Sequence, residues 1–178
     1  MIAFIAVFWM FIAIFGFIGI MRGWAKELLV IFSIVLALAF IAVAENLIPI
    51  LGPFLNSNPM IQYWVRTGMV VFMTFFGYQS PKFSRLAKST ERRDRIQDLI
   101  LGLMMGLISG YFIVGCLWSF ANDAGYPNLE NYIAPPLSNL AEDTQNILNY
   151  LPPVWLGQPP TIYIAVVLAF IFVIVAFV

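Results

Sequence analysis

The sequence predicts an all-α fold: a multi-pass helical membrane protein with about five transmembrane helices and a proline-bounded amphipathic helix on the outer side. Three observations carry this expectation. Of the 178 residues, 62% are hydrophobic and 10% charged, against roughly 45–50% and about 25% in soluble domains. The apolar residues gather into five runs, at 1–21, 28–44, 60–79, 99–120 and 161–178, each close to the roughly 20 residues of helix that cross a hydrocarbon layer about 30 Å thick. Arg66 is the sole charge inside those runs, a segregation that follows from the cost of bare charge in hydrocarbon. The residues outside them are divided among stretches of 6, 15, 19 and 40 residues, which leaves no room for a second, soluble domain, and no internal repeat is evident, so residues 1–178 read as a single membrane domain.

Composition also removes function classes. Nine basic and nine acidic residues cancel, leaving no net positive field to draw nucleic acid by its phosphates. Histidine is absent and Cys116 is the sole cysteine, which takes away disulfide frameworks, the usual zinc and haem ligand sets, and Ser-His or Cys-His catalysis. No cofactor and no enzymatic chemistry are expected.

The first run starts at Met1 with its positive residues after it rather than before it, which argues against a cleaved signal peptide. It ends in Gly19-Ile20-Met21-Arg22-Gly23-Trp24-Ala25-Lys26-Glu27, so short a link to the second run that the two must form a tight helical hairpin. Gly23 supplies the turn, and Trp24 suits the headgroup level. Glu27 stands one turn beyond Gly23, within reach of Arg22 or Lys26. Anchoring with a local ion pair outweighs a functional site here.

After the second run, the proline-broken stretch from Leu47 to Leu55 is too short to span and reads as a loop on the outer interface. The third run contains Arg66. An ionisable group at membrane depth is by default a functional candidate, but arginine near a helix end can snorkel, and Glu45 is placed to pair with it. The loop 80–98 follows, with Lys82, Arg85, Lys88, Arg92, Arg93 and Arg95. Together with Arg22 and Lys26, these put eight of nine basic residues on one side, where the excess marks the cytoplasm. The expected orientation is N-terminus outside and C-terminus inside.

The fourth run carries Gly102, Gly106 and Gly110 at intervals of four. On a helix they form one smooth stripe, which in lipid favours close backbone packing. The stripe fits either a helix of the same chain or a second copy. The outer segment 121–160 then holds Pro127 and the pairs Pro135-Pro136, Pro152-Pro153 and Pro159-Pro160. Within it, Leu137, Leu140, Ala141, Thr144, Ile147, Leu148 and Leu151 recur on one helical face, predicting an amphipathic helix over 137–151. Its polar face lacks lysine and arginine, so anionic lipid does not hold it. It must lie on zwitterionic interface, on the protein's own helices, or on a partner.

Gly19, Arg22, Gly23 and Glu27 resemble the GxxRGxxxE signature of the colicin V production protein (CvpA) family, and Asp94-Arg95 before a glycine-laddered span resembles that family's second signature. The resemblance covers about residues 1–153. The chain departs from the pattern at Asp98, in place of the first ladder glycine, at Met105 and Ser109, where an arginine often precedes a glycine, and in its fifth span. What the resemblance implies is an inner-membrane protein needed for colicin V production or envelope physiology. The expected function is therefore binding and organising other membrane components, with lipid and other membrane subunits or a second copy as partners. An accessory subunit of an electron-transfer or photosynthetic complex is the alternative. A transporter or channel needs polar groups converging at the midplane, and few are available.

Overall fold

The computed structural model describes residues 4–79, 95–126 and 141–177. These are helical with no strand among the described residues: α1 Phe4–Arg22, α2 Trp24–Asn46, α3 Leu51–Asn56, α4 Pro59–Tyr78, α5 Arg95–Asp123, α6 Ala141–Asn149, α7 Pro152–Trp155 and α8 Thr161–Phe177. Three stretches are long and apolar enough to cross a membrane: Ile5–Arg22, Trp24–Asn46 and Ile96–Asp123. The other two apolar runs also form helices. In α4, Gln62, Arg66, Thr67 and Thr74 dilute the apolar character, while α8 has 17 residues, apolar over Thr161–Phe172.

A single residue joins α1 to α2. Gly23 has φ 86° and ψ 151°, a backbone state that side chains disfavour, and its N–H donates to the Gly19 carbonyl at 2.9 Å. The chain therefore reverses without a loop. The stretch from Leu47 to Leu55, expected as a loop, instead contains the short helix α3. Pro53 is tolerated because it sits in the first turn, where backbone N–H groups have no helical partner to lose. At the next helix, Asn58 is the N-cap and Pro59 opens the first turn. Asn58 Oδ1 accepts from the N–H groups of Met60 at 2.9 Å and Ile61 at 3.4 Å. Asn58→Ala is expected to lower stability by about 1 kcal/mol, while Asn58→Asp retains it, as thermal unfolding in detergent would measure; equal melting of all three would remove the cap from the account.

Helix α2 is central: Val30, Ile34, Val35, Ala37, Leu38, Ile41 and Ala42 are all buried, against α4, α5 and α8. Helix α1 packs on α5 in antiparallel fashion, with Gly19 against Gly102 and Gly106 and, toward the other end, the Phe8 ring 5.0 Å from that of Trp118. Helix α5 is longer than its apolar run at both ends, because hydrogen bonding carries the helix past the residues that hydrocarbon requires.

The amphipathic segment lies on the protein's own helices. Thr144, Leu148 and Leu151 are buried and Ile147 half-buried, in a cluster with Phe8, Ile12 and Trp118 of α1 and α5. The helix begins among the described residues at Ala141; Leu137 and Leu140 lie outside them. It stops at Asn149, short of the expected Leu151, because a residue before proline is pushed out of the helical region, and Leu151 is extended at φ −66°, ψ 148°. Pro152 then starts α7 at a position that needs no N–H.

Candidate functional site

Two charged nodes lie toward opposite ends of the bundle, and helix-to-helix glycine contacts lie between and beside them. The first node grows from the turn at Gly23. Because one residue joins α1 to α2, the last side chain of α1 and the first turn of α2 face each other, and Arg22 Nη1 donates to Glu27 Oε1 at 2.8 Å. Lys26, the other basic residue within reach in sequence, is exposed. The Glu27 side chain is fully buried. Its second oxygen accepts from Ser109 Oγ of α5 at 2.6 Å; that hydroxyl also lies 3.0 Å from the Gly106 carbonyl. With one hydrogen to give, it bonds more strongly to the charged acceptor.

Arg22 reaches a fourth helix. Its Nη2 donates to the Tyr78 carbonyl at 3.0 Å, and its guanidinium lies 4.2 Å from the Tyr78 ring centroid. Tyr78 ends α4, so a cation meets a helix C-terminus, where carbonyls point outward and the dipole is negative. A cation over a ring face adds attraction. Arg22, Glu27, Tyr78 and Ser109 thus join α1, α2, α4 and α5 at one point.

The second node ties α2, α4 and α5 at the opposite end. Arg66 Nε and Nη2 donate to the two oxygens of Glu45 at 2.7 and 2.9 Å, and Nη1 donates to Asp123 Oδ2 at 3.2 Å. Gln62 Nε2, one turn before Arg66, adds a 3.4 Å contact to Glu45 Oε1. A planar fork matches a carboxylate in a way an ammonium does not. Arg66→Lys is accordingly expected to lower stability by about 1.5–3 kcal/mol in detergent unfolding; an unchanged midpoint would show that the fork geometry contributes nothing.

The glycine stripe is covered by α1 of the same chain. A Cβ at Gly102 would meet the Gly19 carbonyl oxygen at 2.6 Å, one at Gly106 would meet Gly19 Cα at 2.9 Å and Gly16 Cα at 3.1 Å, and one at Gly110 would meet the Phe15 side chain at 2.6 Å. Between the two fits left open by the sequence, the intrachain one is occupied, and the stripe is not available as a working surface for partners. At a second close approach, Gly77 of α4 faces Ser33 and the backbone of Val30.

The structure therefore brings Arg22 to Glu27, Arg66 to Glu45, and Gly19 to the glycine stripe. Ala141 opens α6, whose buried face includes Leu148, and Leu151 just beyond it is buried as well. Arg95 opens α5, while Asp94 and the rest of the basic loop through Ser80 lie outside the described residues. Sequence reasoning missed Ser109 as a ligand of Glu27, Tyr78 as a ligand of Arg22 and Asp123 as the second acid on Arg66. The signal for Ser109 was its place beside Gly110, a hydroxyl on the edge of a packing stripe. No family model, no curated protein and no solved structure matches this chain.

Proposed function

We propose that this chain is a non-enzymatic, CvpA-like protein of the bacterial inner membrane that binds and organises other membrane proteins in colicin V production or envelope physiology. In this reading it crosses the bilayer five times, α4 and α8 included, with its N-terminus outside and the Arg22 node toward the cytoplasm. The observation that carries the non-enzymatic reading is the use made of the buried charges. Glu27 spends both oxygens on Arg22 and Ser109, and Glu45 spends both on Arg66, so groups able to do acid-base chemistry hold helices together instead.

The lateral surface supports the organising role. Helix α8 packs chiefly on α2 and leaves Ile164, Val167, Leu168 and Ile171 exposed, and α4 exposes Trp64, Phe72, Phe75 and Phe76. Such faces are covered by lipid or by other membrane helices. The test is purification in mild detergent followed by mass spectrometry and sizing. Envelope proteins or a second copy at fixed stoichiometry would support the proposal. A defined set of redox subunits would replace it with an accessory role in an electron-transfer complex, and a lone monomer from crosslinked native membranes would overturn it.

A further inference from the structure

A cavity of about 340 Å³ opens beside the Arg66 node, within the size range of small-ligand pockets, roughly 300–1,000 Å³. Its lining is mixed: Leu38, Ile41, Phe120 and Val154 of α7 are apolar, and Asn46, Ser119 and Gln158 are polar. Glu45, Arg66 and Asp123 line it as well, and their charges do not balance: two carboxylates share one guanidinium. Glu45 takes both donations of the Arg66 fork and a 3.4 Å contact from Gln62 Nε2. Among the described residues Asp123 receives one contact, at 3.2 Å, and its side chain remains 53% exposed, so the excess negative charge of this cluster sits on Asp123.

We infer that this cavity binds an alkylammonium group, its ammonium on Asp123 and its short carbon chain against Leu38, Ile41 and Val154. An anion is disfavoured, because approaching Arg66 brings it against both carboxylates already there. Calcium or magnesium takes six or more oxygens, and here the two carboxylates are engaged with an arginine. An ammonium has three donors and one charge, which matches one half-free carboxylate with the side chains of Asn46 and Gln158 and the apolar Leu38, Ile41 and Val154 in the same lining. The same chemistry is offered by free alkylamines and by the ethanolamine headgroup of a phospholipid.

The experiment titrates the full-length protein in phosphatidylcholine nanodiscs with n-butylammonium chloride and, separately, with 1-butanol. Saturable binding of the ammonium alone is expected. Asp123→Asn should weaken it about tenfold or more, as expected for losing a hydrogen bond to a charged group, in protein that still melts cooperatively. Val154→Trp, which fills the cavity from α7 and leaves the three charged residues unsubstituted, should also abolish binding and covers the case in which Asp123→Asn does not fold. Native mass spectrometry then assigns the source: retention of phosphatidylethanolamine over phosphatidylcholine and phosphatidylglycerol, lost in Asp123→Asn, marks the lipid headgroup, and binding without such retention marks a free amine. Absence of saturable binding, equal binding of butanol, or wild-type affinity in folded Asp123→Asn would each overturn the inference.

Discussion

Gly106→Leu is expected to prevent the bundle from forming, at a cost of at least about 3 kcal/mol, read as loss of monodisperse protein and of a cooperative melt in detergent. The reason is what stands opposite. A Cβ at Gly106 would lie 2.9 Å from Gly19 Cα and 3.1 Å from Gly16 Cα, and closer still to the Phe15 carbonyl. Those are backbone atoms, which have no rotamer to change, so α1 must move away from α5 along its whole length. That movement also disturbs the Phe8 and Trp118 contact under the amphipathic segment. Gly68→Ala is the matched control. In α4 a Cβ at Gly68 meets nothing within 4 Å, and alanine there should raise stability by about 0.5–1 kcal/mol through helix propensity. A Gly106→Leu protein with wild-type yield and melting would mean that α1 does not lie on the stripe.

The helices and the stripe were legible because both follow from short-range periodicity. Runs near twenty residues and glycines every four are properties of one helix at a time. What covers the stripe was not legible: Gly16 and Gly19 make α1 smooth where α5 is smooth, but nothing in their spacing separates α1 from a second copy. The two nodes divide in the same way. Arg22 and Glu27 are five residues apart across a glycine turn, so their meeting could be read from the sequence. Ser109 reaches Glu27 across 82 residues and Tyr78 reaches Arg22 across 56, and no local rule links them. Asp123 was read as part of an outer loop because the apolar run ends at Phe120, whereas α5 continues one turn and delivers that carboxylate to Arg66. The end of α6 was misjudged for a complementary reason: apolar periodicity continues to Leu151, but the proline after it decides the backbone.

Arg22→Ala is expected to be the more damaging half of a pair whose double replacement is tolerated. Removing the guanidinium leaves the Glu27 carboxylate fully buried with only Ser109 as a ligand, and breaking one side of a buried ion pair costs about 3–5 kcal/mol. It also releases the C-terminal carbonyl of α4 and the Tyr78 ring. Glu27→Gln keeps its carbonyl oxygen as an acceptor for Arg22 and turns an amide N–H toward Ser109 Oγ, which can accept while donating to the Gly106 carbonyl, and Arg22 is itself partly exposed and can turn toward water, so its cost should be smaller, about 1–2 kcal/mol. The double variant Arg22→Met with Glu27→Leu leaves no unpaired charge and should recover most of the stability lost in Arg22→Ala, because well-packed apolar replacements of buried pairs are often neutral or better. Unfolding midpoints of the wild type, Arg22→Met, Glu27→Leu and the double variant in one detergent close the cycle and give the coupling directly. Additive losses would show that the node is not a pair at all. A double variant that folds and melts normally yet fails to capture the wild-type partners would place the node in the working surface, since its contribution would then lie in recognition rather than in holding α1, α2, α4 and α5 together.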